Sequence, residues 1–477
     1  MNKVYKVGII GGGVSGVVAA LQLAEMGVEN ILFEQKATVV NGPPFCHLHA
    51  GGNLYPDISD EQCRILMKES IKMARLFPQS IDERPTFISV PKSESYKLDH
   101  IEERLDMLVE YYKKLIEEDA DNEVLGAPED YYKIYREADL DALAKEPVVK
   151  RPNTPDEWMA NAAKLVDYGA LKMPVLLVQE YGWNLFRLGA QAQVAINKTD
   201  KCTLKLNTKV ENVVDVRDKN LDYNWEIHTV DAVYKVEYLV NSSGFRTGKF
   251  DDCLNLNVER LVEFKAAYVS QWKTIDGLIP EFIFHGQRGT PHGMAQLTPY
   301  CEEYYQIHGM TEDITLFKNG LVRAKDNGAQ PQFDEDIERK LNAGWDKEDI
   351  VCRTENSIKY IAKFIPSFDS ATVGGPPMCG AQQIPGDDVN LRVGEVSFPT
   401  KHYARSEIIK ASSALTVANQ IIDKMQEEKI IDPISEQPLG NSFLDSVTKA
   451  EIDKMASEFA DVRGYPKALS RLVIDRD

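Results

Sequence analysis

Three glycines and an acid carry the clearest chemistry in this chain. Gly11, Gly13 and Gly16 stand in the run Gly11-Gly12-Gly13-Val14-Ser15-Gly16, and Glu34 follows 23 residues after Gly11. Glycines at this spacing let a chain turn tightly and bring backbone N–H groups against a pyrophosphate. A carboxylate that far along, followed here by Gln35, can accept both hydroxyls of a ribose. Val14 and Ser15 open a helix, so their N–H groups lie where the helix carries its partial positive charge. Histidines form a second group. His47 and His49 share a loop rich in Gly and Pro, His292 stands in Thr290-Pro291-His292-Gly293, and His308 ends Tyr304-Tyr305-Gln306-Ile307-His308. An imidazole exchanges protons near neutral pH and can serve as a general acid or base. His47 and His49, two residues apart, share a face in extended chain.

The elements around these residues suit the chemistry. Residues 4–10 are an apolar strand, 17–26 continue at helical spacing, Gly27 ends the helix, and Ile31-Leu32-Phe33-Glu34 reads as a second strand. Strand, glycine turn, helix, strand and acid together make a dinucleotide-binding unit. Further on, Val210 lies in a segment that fits the strand covering an adenine. Glu237-Tyr238-Leu239-Val240-Asn241-Ser242-Ser243-Gly244 reads as a buried strand whose small end residues, Ser243 and Gly244, let another backbone or a cofactor come close. Ser59 looks like the start of a capped helix. Helices are predicted over 99–121 and 406–425, and short strands from 261 to 317 suggest a mainly β second domain. Alternation puts Tyr304, Gln306 and His308 on one face of their strand. These readings divide the chain into a discontinuous nucleotide-binding domain (1–80, 166–250 and 370–425), a helical excursion (81–165), a substrate or cap domain (251–369) and a C-terminal helical appendage (426–477).

Composition narrows the function classes. The chain has 477 residues, 43% hydrophobic and 27% charged, and a formal net charge of −19. That charge argues against nucleic acid as a partner and against simple electrostatic docking to an anionic membrane. No stretch approaches the roughly 18 apolar residues of a membrane span. The apolar run 4–10 passes straight into the glycine turn, so it does not read as a signal peptide. Seven scattered cysteines with no C-x-x-C favour a reducing, cytoplasmic setting and weigh against a flavin disulfide reductase. A peripheral membrane contact stays open. No His/Cys/Asp cluster has metal-ligand spacing.

The N-terminal unit, the Val240–Gly244 segment and the C-terminal helix together resemble the FAD-dependent oxidoreductases of the D-amino-acid oxidase superfamily. His49-Ala50-Gly51 is similar to the flavin-facing stretch of malate:quinone oxidoreductases and of L-2-hydroxyglutarate oxidases. Phe264-Lys265-Ala266-Ala267-Tyr268 and Ile361-Ala362-Lys363-Phe364-Ile365-Pro366-Ser367 resemble segments of the latter. The resemblance implies an α/β fold, with a glutathione-reductase-type FAD-binding Rossmann domain and a mainly antiparallel β-sheet substrate domain. It implies FAD as cofactor, and His49 facing the flavin as acid/base or as covalent tether. It points to Gln383, in a loop, as a further catalytic candidate; His308, from its polar strand face, and His292, from its turn, are candidates on their own positions. Leu391-Arg392-Val393-Gly394-Glu395 reads like a strand closing on the flavin ribityl chain, with Glu395 in place of the usual Asp. Ser406 is expected to begin a helix aimed at the flavin. Arg392 and Arg405 are candidates for holding a carboxylate through a planar fork.

These observations lead to an FAD-dependent oxidoreductase that takes hydride from a small 2-hydroxy or 2-amino acid onto flavin N5. The electron acceptor is open among quinone, oxygen and a carrier. The rival readings are an NAD(P)H-dependent flavin monooxygenase and a non-catalytic flavin-binding redox module.

Overall fold

The computed structural model describes residues 3–42, 58–95, 99–325, 328–389, 391–433, 438 and 440–474; the side chains of Asp99, His100 and Glu395 lie outside the description, as do His47 and His49. Two sheets organise the described residues. The first has eight strands, in the order Glu395–Thr400, Tyr403–Glu407, Val233–Asn241, Val4–Ile10, Asn30–Phe33 and Cys202–Lys205, with Trp225–Thr229 and Val210–Asp215 alongside. Val4–Ile10 runs parallel to Val233–Asn241 and to Asn30–Phe33, and Tyr403–Glu407 runs parallel to Val233–Asn241. Parallel strands buried on both faces read as continuous apolar runs, and Val7, Ile9, Ile31, Leu32, Leu239 and Val240 are fully buried. The helices Val14–Glu25, Asp60–Leu76, Leu185–Lys198 and Ala414–Glu427 share one apolar core with Val7 and Ile9. Ser59 caps the second of them by accepting from the Gln62 amide at 3.2 Å.

The second sheet has ten strands. Its centre is Arg260–Gln271, paired with Tyr304–Gly309 and, over eight residues, with Met378–Pro385. Ala295–Pro299, Glu281–Phe284, Thr86–Ser89, Val175–Val178 and Tyr132–Tyr135 extend it. All of its pairings are antiparallel except that of Glu281–Phe284 with Thr86–Ser89. Alternation divides the two faces. Tyr268, Phe282, Phe284, Leu297, Tyr305 and Ile307 join an apolar core with Phe364 and Phe368, whereas Ile88, Ala267, Val269 and Met378 face the core of the first sheet.

Several predicted elements change. Residues 81–165 are not only helical, because Thr86–Ser89 and Tyr132–Tyr135 are strands of the second sheet. Residues 314–317 form a turn rather than a strand, closing on Gly309 through the Thr315 amide. The helix predicted over 406–425 begins at Ala414, because 403–407 pair with 239–241 and 395–397. Sheet pairing there overrides the helical spacing of the apolar residues. The C-terminal segment is helical, as expected, and packs against the body of the chain. Its helix Lys449–Val462 buries Ile452, Ala456, Phe459 and Ala460, and Asp453 pairs with the buried Arg187 of Leu185–Lys198.

Candidate active site

The three glycines do different work. Gly11 has φ +104°, and a Cβ on it would meet the Ser242 carbonyl oxygen at 2.3 Å. A Cβ on Gly16 would lie 1.9 Å from the Gly11 carbonyl oxygen, so helix and turn touch there. Around Gly13, nothing lies within 4 Å of that position. The space it leaves belongs to a cavity of about 660 Å³. Turn, packing and open approach thus fall to the first, third and second glycine, the division that a pyrophosphate-binding turn requires.

The cavity runs from Glu34, Gln35 and Val210 past Gly13, Ser242, Ser243 and Gly244 to Cys379, Gly380 and Ala381. Glu34 is 7% exposed, and its two oxygens accept from the Gly12 amide at 3.0 Å and the Lys36 amide at 2.8 Å. Burial pushes its carboxyl up from the ordinary range, against those two bonds. Each oxygen keeps a lone pair for a hydroxyl. The Ser242 hydroxyl, buried at the cavity wall, has no partner among the described residues. Buried polar groups are normally satisfied, so an open donor beside the glycine turn suits a ligand. Ser15 and Ser406 touch hydroxyl to hydroxyl at 2.5 Å, tying the helix start to the end of Tyr403–Glu407. Val14, the first helical residue, is buried.

Other predicted residues stand elsewhere. His47 and His49 lie outside the described residues. Gln383 is not in a loop. It sits in the strand Met378–Pro385, opposite Val262, with its amide donating to the Ile408 carbonyl at 3.2 Å. The surrounding Gly and Pro suggested a loop, but eight consecutive pairings hold the segment extended. Glu395 starts a strand antiparallel to Tyr403–Glu407, so the parallel strand leading to the Ala414–Glu427 helix ends at Ser406 and Glu407 instead. Ser406 therefore belongs to a strand and heads no helix dipole. Arg405 is engaged. It faces Asp251 at 3.1 Å and Glu407 at 3.2 Å, which also bind Arg260 at 2.9 and 2.6 Å. His292 lies exposed in its turn and does not line the cavity.

His308 is buried, on a polar sheet face that sequence alternation read correctly. Pairing sets Gln306 beside Val269 and Thr298, and Gln296 beside His308 and Ile283, all towards the first sheet. Gln296 donates to Glu281 at 2.8 Å and to Thr298 at 3.1 Å, and Arg84 donates to Glu281 at 2.5 Å. On the same face, Lys265 donates to Glu263 at 2.7 Å and to Gln382 at 3.0 Å, and Arg288 also reaches Glu263. Burial opposes ionisation of Glu263, yet Lys265 and Arg288 hold its carboxyl below the usual range. Burial lowers the Lys265 ammonium, helped by Arg392 and opposed by Glu263. His285, 4% exposed, has its imidazole lowered by burial to about 4, and its Nε2 has no partner among the described residues. The sequence reading missed Glu263, Lys265, Arg288 and His285. The available signal was Glu263 and Lys265, two apart on one face of an otherwise apolar strand.

No family model and no curated protein matches the sequence. Solved structures do match. Glycine oxidase from Geobacillus kaustophilus aligns at 13% identity over 89% of this chain and 95% of its own, with TM-score 0.54. L-proline dehydrogenase from P. horikoshii aligns at 14% over 92% and 96%, with TM-score 0.56. Glycerol-3-phosphate dehydrogenase from Bacillus halodurans, solved with FAD, aligns at 13% over 98% and 74%, with TM-score 0.57. At these identities the likeness is one of fold, and this chain has the fold shared by that oxidase and those two dehydrogenases.

Proposed function

We propose that the chain is an FAD-dependent oxidoreductase built on a glutathione-reductase-type nucleotide domain, oxidising a small 2-hydroxy or 2-amino acid. The observation that carries this reading is the cavity over Gly13, with Glu34 fixed by two amides at one end and the second sheet at the other. The residues fit FAD: Glu34 would hold the ribose hydroxyls, the amides from Gly13 to Ser15 would hold the pyrophosphate, and Ser242 offers an open hydroxyl beside them. The chemistry FAD would supply is acceptance of hydride at N5 from a carbon bearing a hydroxyl or amino group. The second sheet contributes orientation and charge, and its apolar backing excludes water. His49 is proposed as the group that takes the substrate's heteroatom proton. The solved neighbours support the reading by fold, one of them being a complex with FAD.

The test begins with the purified protein. It should carry FAD, released on heating and identified by mass. Gly13→Val should abolish that content, because its side chain would fill the space a phosphate needs. Tight NAD with no flavin would overturn the assignment, and reduction of the flavin by NADPH would favour the monooxygenase.

A further inference from the structure

The segment 38–42, just beyond Glu34, is held from three sides. The Val40 amide donates to the carbonyl of Gly12, inside the glycine turn, at 2.8 Å. The Val39 amide donates to Gln193 of the helix Leu185–Lys198 at 3.3 Å. Gly189 of that helix leaves room for the Val40 side chain, since a Cβ there would stand 3.1 Å from the Val40 Cβ and 3.3 Å from Phe459. From the third side comes Arg463, the residue that ends the helix Lys449–Val462. Its guanidinium donates to the Val40, Asn41 and Gly42 carbonyls at 3.2, 3.5 and 3.0 Å, and lies over the rings of Phe186 and Tyr465. Val40 has φ +55°, a left-handed conformation that is costly for a β-branched side chain. Such a conformation persists where the surroundings over-determine it, and it is common at ligand clamps.

In a trans peptide the C=O and N–H of one unit point in opposite directions. The carbonyls of Val40 and Asn41 are drawn to the guanidinium, so the amides of Asn41 and Gly42 point away from it. Asn41 and Gly42 line the cavity over Gly13, and Arg463 does not. The two amides therefore face the cavity side of the segment, and neither donates to a described residue. Successive N–H groups turned towards one concavity bind anions. The bond from Val40 to Gly12 sets this pair beside the glycine turn. We propose that Arg463 is a positioning residue for the pyrophosphate of the cofactor. By holding three carbonyls outward, it keeps the Asn41 and Gly42 amides turned to the phosphates, alongside the amides that open the helix Val14–Glu25. The inference rests on the FAD reading of the same cavity.

Phosphorus NMR of the FAD-loaded protein reads the contact without turnover. Bound FAD should give two phosphorus resonances displaced from those of free FAD. Arg463→Gln should move at least one of them back towards the free position and weaken FAD about tenfold or more, the loss of one charge-assisted bond. Arg463→Lys, which keeps a charged donor for the carbonyls, should recover part of both changes. Unchanged resonances in flavin-loaded Arg463→Gln overturn the proposal, even where the variant is less stable. Hydrogen exchange of the wild-type holoprotein, followed by mass spectrometry over residues 38–42, needs no variant. The Asn41 and Gly42 amides should exchange as slowly as that of Val40, and exchange at the rate of a free amide overturns the proposal. A protein that neither carries nor takes up flavin overturns the FAD reading and the proposal with it, whereas a flavin-loaded protein with fast amides overturns the proposal alone.

Discussion

The strand Arg260–Gln271 carries two charge clusters, three residues apart and on opposite faces. Arg260 is sealed among Asp251, Arg405 and Glu407, and ties the helix Thr247–Cys253 and the strand Tyr403–Glu407 to the second sheet. Glu263 and Lys265 share the other face with Ala267 and Val269, where Glu263 pairs with Lys265 and Arg288. The first cluster is balanced and dry, as a structural lock must be. The second is partly exposed, with Lys265 and Arg288 on one carboxylate.

Breaking the first cluster should have the largest effect on stability. Arg260→Met leaves Asp251 and Glu407 buried against one arginine, and should cost about 3–5 kcal/mol. Lys265→Met leaves Arg288 on Glu263 and should cost about 1 kcal/mol or less. Urea unfolding monitored by circular dichroism compares them, and equal losses would erase the distinction between lock and site.

The acid response sharpens the same contrast. In the unfolded chain the His285 imidazole takes up its proton near pH 6.5, about the ordinary value. In the fold it does so only near 4. Between these values the unfolded state binds the additional proton. The contribution is therefore intact above about 6.5 and is lost progressively down to about 4, roughly 3–3.5 kcal/mol in all. His285→Leu should flatten that part of the stability–pH curve. An unchanged acid limb would show that other groups control it.

A smaller effect is expected at the nucleotide end. Glu34→Ala should weaken FAD by about 1–3 kcal/mol, the loss of charge-assisted bonds to the ribose. Fluorescence of free flavin after dialysis reports it, and full retention would move the ribose contact elsewhere.

That end was the legible one, for a physical reason. Its turn, helix and acid are contiguous, so Gly11, Gly13, Gly16 and Glu34 announce one another within a single unit. Ser243, Gly244 and Val210 line the same cavity; the first two were legible because a strand ending in small residues marks a close approach, and Val210 from the strand expected over an adenine. The second sheet assembles its face from strands 263–265, 281–285, 296–298 and 306–308, whose pairing no local pattern states. Gln306 and His308 showed by alternation, while His285 and Arg288 follow a short apolar strand with no mark of their own. Glu395 was given the place that the parallel strand assigns to Ser406 and Glu407, because Gly394-Glu395 mimics the local motif while pairing decides the strand. Arg405 looked free for a carboxylate because its partners, Asp251 and Glu407, are set by the fold.

The measurement that bears most directly on the account is anaerobic stopped-flow of the purified protein at about 450 nm, where oxidised flavin absorbs. A small 2-hydroxy or 2-amino acid should bleach that band in a single saturable phase. His49→Ala should slow the bleaching by about 10²–10⁴-fold with flavin still bound. A flavin that no hydroxy or amino acid reduces, or that NADPH reduces instead, would contradict the account.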